Sequence, residues 1–369
     1  MTPETGDADH AGAPSPVKTV RCPVCVDVIG WPPPQYYENH GGDYRPLDLD
    51  AVAGADKRAD MLRSAWFRCP NPSQDTKEHH LPAALASYGE GLVIGIIGAT
   101  RSGKSHLLAA MMYEIDRLGL QPHGLSAAPL DATGHNRYFR DLVRPFVTQG
   151  QQLGRTDPQE SVSSYTDSLL VTSSTGTKPV TFFDVAGGDL QQSGRTTRFL
   201  AGAGALLFVV NPSMALGAQT ADDPSPEAGE RAPNDKAFAT VLSRLRHPAS
   251  PRFLDIPAAV VVTKSDRLRF ESPVDTWLRM RSESTVDAVL IRAESRDVYA
   301  FLRHHGADAW LAPFHECRKC TLHFVSATGG EARGGRYQRG VRPTRVLAPL
   351  VALLAMTGVL AGGEEVGAG

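Results

Sequence analysis

The feature that most constrains this chain is a glycine-rich octapeptide that joins an apolar run to a helical pattern. Residues 91–97 are apolar apart from glycine, and apolar residues recur at helical spacing over 105–118 before a C-capping glycine. Between them lies Gly98-Ala99-Thr100-Arg101-Ser102-Gly103-Lys104-Ser105. A buried strand, a glycine turn and a helix in this order predict a phosphate-binding loop (P-loop) in a parallel α/β sheet.

The residue types of this octapeptide suit the binding of a polyphosphate. Glycines let successive backbone N–H groups turn inward, and the helix N-terminus adds its partial positive charge. Lys104 is expected to reach the β- and γ-phosphates, and the Ser105 hydroxyl to bind Mg²⁺. All the residues from Gly98 to Ser105 are therefore candidate nucleotide-binding residues.

Further apolar strands follow, with helical patterns between several of them. The predicted strands are residues 168–172, 180–185, 205–210, 258–263 and 322–326, and the predicted helices are 136–147, 236–246 and 296–305. This alternation predicts an α/β fold with a mainly parallel sheet, and Gly176 predicts one antiparallel hairpin within it. The apolar stretch 346–361 contains Pro349 and is short for a membrane span, so we expect a closing helix packed on the sheet.

A second motif, Phe182-Phe183-Asp184-Val185-Ala186-Gly187, lies at a predicted strand end. A carboxylate there can hold the shell of a Mg²⁺ ion, and a glycine three residues later lets a backbone N–H approach the γ-phosphate. Asp184 and Gly187 are therefore candidate catalytic residues beside Lys104, and Asp184 is also a candidate Mg²⁺ ligand.

The motif Thr263-Lys264-Ser265-Asp266 predicts which base is bound. A carboxylate at Asp266 can accept hydrogen bonds from the N1–H and exocyclic amine of guanine, whereas adenine presents no such donor pair. The Lys264 stem can pack on the base plane. Ser326-Ala327 follows the last predicted strand, where a backbone N–H can meet guanine O6. Thr263, Lys264, Asp266, Ser326 and Ala327 complete the candidate nucleotide site.

The set GATRSGKS, DVAG, TKSD and SA resembles the P-loop GTPases of the translation-factor-related (TRAFAC, Ras-like) class, over residues 90–361. The resemblance implies a P-loop NTPase fold with a mostly parallel six-stranded sheet, and a Mg²⁺-dependent GTP/GDP switch that hydrolyses GTP and works with an effector or activating protein. The N-terminal Cys-Pro-x-Cys element is similar to the bacterial "double-GTPase" group, which bears zinc ribbons and is predicted to act in conflict or signalling systems.

The sequence departs from the wider class after D-x-x-G. Many members have a glutamine there to orient the attacking water, whereas this chain has Gly188 and then Asp189, which predicts slow hydrolysis without a partner. The switch threonine, a catalytic residue and Mg²⁺ ligand, is assigned to Thr156, with Thr148 and Thr166 as alternatives. A P-loop ATPase and a pseudo-GTPase binding module with little turnover remain alternative functions.

Three cysteines in the N-terminal part predict a structural Zn²⁺ site. Cys22 and Cys25 have knuckle spacing, and Cys69 follows in a segment with little apolar material for a core of its own. The fourth ligand is assigned to His79, with His80 and His40 as alternatives. A second group, Cys317 and Cys320 near His315 and His323, is predicted to pack in the core rather than bind a metal.

Composition completes the predicted organisation. We expect a disordered lead at 1–20, a zinc-ribbon-like segment at 21–85, a P-loop GTPase domain at 86–361 with a mobile insertion at 219–236, and a disordered tail at 362–369. A formal net charge of -2 and no dense Lys/Arg cluster near the cysteines argue against nucleic acid as a partner. The start of the chain lacks signal-peptide features, so a cytoplasmic location with reduced thiols is expected.

Overall fold

The N-terminal part forms two small antiparallel sheets. The computed structural model describes residues 19–74, 76, 78–154, 165–184, 200, 202–216, 235–246, 252–280, 286–363 and 365–367. The elements up to residue 82 are β1 (Thr19–Arg21), β2 (Val28–Gly30), β3 (Tyr36–His40), β4 (Asp43–Leu47), α1 (Ala55–Ser64), β5 (Trp66–Arg68) and β6 (His80–Pro82). β1 pairs with β2, and the other four strands pair in the order β4–β3–β5–β6. We call residues 19–82 the cysteine module.

The cysteine module packs directly on the rest of the molecule. Its side chains Phe67 and Leu81 are fully buried, and they share one hydrophobic cluster with Phe183 and Leu200. At another contact, a Cβ placed on Gly202 would lie 2.5 Å and 2.6 Å from the two γ-carbons of Val26. The module thus buries its few large apolar side chains against the core of the larger domain. This shared core explains how the module can fold with little apolar material of its own.

Within the described residues, the central sheet has seven strands rather than the six that the family resemblance implies. They are β7 (Leu92–Ile97), β8 (Ser126–Pro129), β9 (Tyr165–Ser173), β10 (Gly176–Asp184), β11 (Ala205–Val210), β12 (Ala258–Val262) and β13 (Cys320–Phe324). Their order is β13–β12–β11–β7–β10–β9–β8, and β9 runs antiparallel to both of its neighbours. The additional strand is β8, at one edge. The α/β class, the mainly parallel sheet and the hairpin at Gly176 are confirmed.

Helices cover both faces of this sheet. In chain order they are α2 (Lys104–Asp116), α3 (Ala132–Tyr138), a π-helical turn (Phe139–Val143), α4 (Arg144–Gln149), α5 (Pro212–Leu216), α6 (Lys236–Leu245), α7 (Val274–Arg279), α8 (Ala288–His304), α9 (Ala312–Glu316) and α10 (Ala348–Met356). Alternate residues of β7 face opposite cores: Val93 and Ile97 belong to the cluster that includes residues of α6 and α8, while Ile94 and Ile96 belong to the cluster that includes residues of α2 and α10. This two-sided burial is why β7 is a continuous apolar run.

The closing helix expected in residues 346–361 is α10. Its residues from Pro349 to Met356 are all buried, and those from Leu350 to Met356 belong to the same cluster as the buried side of α2. Within the described ranges, none of the helices has the length and hydrophobicity that crossing a bilayer requires.

The outward N–H groups of the edge strand β13 are hydrogen-bonded to two side chains of α8 and to the carbonyl of Gly367. The N–H of Leu322 donates to Ser295 Oγ at 3.0 Å, and the N–H of Phe324 donates to Glu294 Oε1 at 3.1 Å. Both acceptors lie on α8. The N–H of Cys320 donates to the carbonyl of Gly367 at 3.1 Å. The helix therefore completes the hydrogen bonding of the strand as well as covering its face.

Candidate functional site

The candidate motifs converge on one end of the sheet. The P-loop follows β7, Asp184 ends β10, and the two base-reading motifs follow β12 and β13. β7 has β10 on one side and β11 on the other, so the chain reverses its direction of travel across the sheet at β7. In open α/β sheets, ligands bind outside the carboxyl ends of the strands at such a switch point.

The P-loop backbone requires glycine at two positions. Gly103 has a φ of 97°, in the left-handed region, immediately before α2. A Cβ on Gly98 would lie 2.7 Å from the carbonyl oxygen of Val209 and 2.9 Å from Ser102 Oγ. The loop is thus held tightly against the end of β11, and its geometry depends on residues outside the octapeptide.

Lys104 folds back over this loop. Its side chain is buried, and Nζ donates to the carbonyls of Gly98 at 2.9 Å and Ala99 at 3.1 Å. Burial lowers the pKa of Lys104, while the nearby carboxylates of Asp184 and Asp235 oppose that change. The ammonium group is therefore positioned at the mouth of the loop, where a phosphate would supply the compensating negative charge.

Ser105 and Asp184 come together as expected for a shared cation. The Ser105 hydroxyl donates to Asp184 Oδ2 at 2.6 Å. The other carboxylate oxygen, Oδ1, is buried and has no hydrogen-bond partner within the described residues. A buried carboxylate oxygen without a partner is costly. One hydroxyl and one carboxylate of this kind are the oxygen donors that Mg²⁺ prefers, so the residues fit the ion.

The loop after β12 is bonded to the P-loop. The Thr263 hydroxyl lies 2.7 Å from the carbonyl of Ser102 and 2.9 Å from that of Val210. Lys264 has a φ of 53°, and its Nζ donates to the carbonyl of Arg101 at 3.0 Å. These bonds fix the position of the phosphate-binding loop relative to the candidate base-reading loop.

The carboxylate of Asp266 is oriented by the motif after β13. The Ser326 hydroxyl donates to Asp266 Oδ1 at 2.5 Å, and Ser326 Oγ accepts the N–H of Gly329 at 2.9 Å. Ser326 and Ala327 are buried, whereas Asp266 is partly exposed. Tyr337 lies near this carboxylate: burial, and then the negative charge of Asp266, raise the pKa of its phenol to about 12.

Several predicted residues cannot be placed. Thr156 and Gly187 lie outside the described residues, as do Gly188 and Asp189. Of the alternative switch threonines, Thr148 lies on α4, is exposed, and donates its hydroxyl to the carbonyl of Arg144 at 2.7 Å. The switch threonine and the water-positioning group therefore remain predictions.

A second site lies in the cysteine module. One ligand atom from each of four residues lies within 4.8 Å of the other three, and the residues are Cys22, Cys25, Cys69 and His79. Cys25 Sγ and Cys69 Sγ are 3.6 Å apart, and Cys22 Sγ and His79 Nε2 are 3.2 Å apart. In a tetrahedral zinc site with Zn–S bonds of about 2.3 Å, the sulfur atoms lie about 3.8 Å apart. The observed spacing is close to this value, so a small movement of the side chains would let the four residues hold the ion.

Backbone hydrogen bonds support these sulfur atoms. Cys22 Sγ accepts the N–H groups of Val24 at 3.3 Å and Cys25 at 3.4 Å, and Cys69 Sγ accepts that of Asn71 at 3.4 Å. Such donors stabilise negative charge on sulfur, and thiolate is the form that binds a metal.

The neighbouring histidines are directed elsewhere. The His80 ring stacks on Tyr44 at a centroid distance of 3.8 Å, and His40 pairs with Glu38. Of the three candidate histidines, His79 is the one that lies with the three cysteines. In the described part of the chain, no comparable group of possible metal ligands includes Cys317 or Cys320, which are both buried in the core.

One residue of the site lies outside the recognised motifs, within the predicted insertion 219–236. Asp235 is buried and caps the N-terminus of α6, and its carboxylate accepts the N–H of Ala99 at 3.0 Å. An aspartate before a helical pattern signals a helix cap. The predicted helix 236–246 begins where α6 begins, but no local pattern signals the contact of Asp235 with the P-loop.

Comparison with known proteins adds two weak similarities. No family model matches the sequence, and no curated protein matches it. The chain is similar to the GTPase-like domain of S. cerevisiae Ski7 bound to GTP, with a TM-score of 0.33 and 11% identity over 73% of this chain and 51% of that one. It is also similar to Sup35 complexed with GDP, with a TM-score of 0.25 and 15% identity over 66% and 38% of the two chains. At these TM-scores, neither structure constrains what this chain binds.

Proposed function

We propose that this protein is a Mg²⁺-dependent GTPase, which binds GTP and GDP at the carboxyl end of β7 and acts as a switch on a partner protein. The observation that carries the proposal is the pairing of Asp266 with Ser326, where the loop of Asp266 is hydrogen-bonded to the P-loop through Lys264 and Arg101. A fixed carboxylate beside a phosphate-binding loop suits guanine, which offers it two donors.

Each residue then has a defined role. The N–H groups of the P-loop and the ammonium of Lys104 would hold the phosphates and stabilise the charge that develops during transfer. Ser105 and Asp184 would hold Mg²⁺, which when bound neutralises charge on the β- and γ-phosphates. Thr156 and the N–H of Gly187 would respond to the γ-phosphate. Because glycine at position 188 offers no side chain to orient water, we expect slow turnover until a partner protein supplies such a group.

Nucleotide affinity in the presence of Mg²⁺ tests the base. We expect wild-type protein to prefer GTP and GDP over ATP, and Asp266→Ala to lose about a hundredfold or more of that preference. Asp308→Ala is a matched control, because its side chain is 62% exposed and lies outside the site. Equal or tighter binding of ATP by the wild type would return the protein to the broader P-loop ATPases.

Turnover tests the enzymatic part of the proposal. We expect Mg²⁺-dependent release of phosphate from GTP at well below about 1 per second for the protein alone. A faster rate would contradict the predicted need for a partner. Binding with no turnover, even with candidate partners, would favour a pseudo-GTPase. The setting in bacterial conflict or signalling systems rests on the resemblance of the N-terminal cysteine element alone.

We also propose that Cys22, Cys25, Cys69 and His79 hold one structural Zn²⁺. The support is the closed set of three thiols and one imidazole, which leaves no position for a substrate. Purified protein is expected to contain about one zinc per chain. Cys69→Ser is expected to lose it, whereas Cys317→Ser, which alters a buried cysteine elsewhere, is expected to retain it. Zinc retained by both variants would refute the assignment.

A further inference from the structure

A buried carboxylate outside the recognised motifs touches the phosphate-binding loop. Asp235 is only 2% exposed. Its Oδ2 accepts the N–H of Ala99 at 3.0 Å, and its Oδ1 accepts the N–H of Ala237 at 2.7 Å. The first bond reaches the second residue of the P-loop, and the second caps the N-terminus of α6. One side chain therefore joins the loop to a helix that is 136 residues away in sequence.

The position of Asp235 requires a side chain that accepts two hydrogen bonds. A carboxylate only accepts hydrogen bonds, and both groups that face it here are donors. Burial raises the pKa of Asp235, and the N–H groups of Ala237 and Ala99 and the charge of Lys104 oppose that rise. Losing the acceptor would leave a backbone N–H unsatisfied at the start of the loop, which costs more than the bond itself contributes.

The surrounding contacts leave the loop little freedom to compensate. Gly98, beside Ala99, already meets Val209 so closely that no Cβ fits. Lys104 donates to the carbonyls of Gly98 and Ala99, and the Gly98 carbonyl belongs to the same peptide group as the N–H of Ala99. The Gly98–Ala99 peptide is thus held at its N–H by Asp235 and at its carbonyl by Lys104, and these two bonds determine the orientation of the peptide that begins the phosphate-binding turn.

We infer that Asp235 is a positioning residue for phosphate binding: by holding Ala99 and the N-terminus of α6 together, it keeps the P-loop in its binding conformation. This inference rests on the proposed function only in that the loop binds a nucleotide, and not on the identity of the base. Asp235 therefore contributes to affinity for the phosphates, and it does not contribute to the choice between guanine and adenine.

The test is Asp235→Ser. Serine is also a good N-cap, so α6 keeps its cap, but the shorter hydroxyl cannot also reach Ala99. A hydrogen bond to a charged group is typically worth enough to change affinity by about tenfold to a hundredfold. We expect GTP and GDP affinity to fall by that factor, with the preference for GTP over ATP unchanged. Asp235→Asn, which keeps the shape but directs an amide donor at one N–H, is expected to weaken binding as well.

The control is Asp287→Ser at the cap of α8. Asp287 accepts the N–H groups of Val289 at 2.8 Å and Leu290 at 3.1 Å, away from the loop. Serine keeps a capping hydroxyl there as well, so the same substitution is expected to change the unfolding midpoint of nucleotide-free protein little and to leave the nucleotide affinity unchanged. This comparison separates a positioning role from a general loss of stability.

The outcomes distinguish this inference from the proposed function. Wild-type affinity in folded Asp235→Ser and Asp235→Asn would overturn the inference, with GTP binding by the wild type intact. If Asp235→Ser fails to fold, Asp235→Asn decides. If the wild type binds ATP rather than GTP, the proposed function fails, and a fall in ATP affinity for both variants would still support the inference. If the wild type binds neither nucleotide, both are overturned.

Discussion

Substituting Gly202 by alanine should show whether the cysteine module is docked on the larger domain in solution as it is in the structure. The added Cβ would lie 2.5–2.6 Å from the γ-carbons of Val26, whereas carbon atoms in contact prefer about 3.5–4.0 Å. The two surfaces would therefore have to separate by about 1 Å, and overpacking of this kind costs about 1–3 kcal/mol. Restricting the unfolded chain recovers about 0.4–1 kcal/mol, so we expect a net loss of about 1–2 kcal/mol.

The partner substitution Val26→Ala makes the prediction specific. It removes both γ-carbons that the new Cβ would meet. Alone, Val26→Ala should lower the free energy of unfolding by about 1 kcal/mol, because it removes two half-buried methyl groups from the contact. In the Gly202→Ala background the two closest contacts are removed and only the Cβ of residue 26, at 3.2 Å, stays close. The double variant should therefore be more stable than the sum of the single effects by about 1–2 kcal/mol.

Urea titration followed by tryptophan fluorescence measures these energies, since Trp31 and Trp66 lie in the cysteine module. Gly30→Ala is the matched control, because a Cβ there would meet nothing within 4 Å. If Gly202→Ala is as harmless as Gly30→Ala, and Val26→Ala shows no coupling with it, the module does not dock through this contact and the reasoning is wrong.

Three further predictions concern the larger domain. Ser105→Ala is expected to abolish most of the Mg²⁺ dependence of GTP affinity, measured by titration with and without the ion, because one of two paired ligands is lost. Thr263→Val should lower the free energy of unfolding by about 1–2 kcal/mol, because the carbonyl of Ser102 loses its hydroxyl partner; an unchanged urea midpoint would contradict this. Glu294→Gln should lower the free energy of unfolding by about 3 kcal/mol at neutral pH. The reason is that Glu294 Oε2 lies 2.8 Å from His323 and 2.6 Å from Arg345, and all three side chains are buried. Burial would raise the pKa of Glu294, but His323 and Arg345 lower it below its ordinary value of 4.5. Its contribution is therefore complete above that pH and is lost as the pH falls further, so the stability gap between wild type and Glu294→Gln should narrow only below about pH 4.5.

Much of the sheet could be predicted because buried parallel strands have a distinctive pattern. β7, β11 and β12 are fully buried on both faces and read as uninterrupted apolar runs. β8 could not be found in this way. Its sequence, Ser126 to Pro129, is short and small, and its residues are mostly exposed. A proline and small residues are tolerated at a sheet edge, where half of the backbone groups need no partner strand.

In the candidate sites, the features set by local sequence could be predicted, and those set by tertiary contacts could not. Local geometry was predictable, because the P-loop and the cysteine knuckle are set by short spacings of glycine and cysteine. Choices that depend on tertiary contacts were not. His79 and His80 are adjacent, and the sequence left both open; successive residues of an extended chain point in opposite directions, so one faces the sulfur atoms and the other faces Tyr44. The contact of Asp235 with Ala99 joins distant segments and has no local signal.

The hydrogen bonding of the outer edge of β13 limits how this protein can bind other chains. A strand at the edge of a sheet normally offers free N–H groups on which an extended peptide, or the same strand of another molecule, can add as the next strand. Here the outward N–H groups of Cys320, Leu322 and Phe324 are already bonded to Gly367, Ser295 and Glu294. This edge is therefore closed to strand addition, so a partner that binds at this edge must do so through side chains or loops.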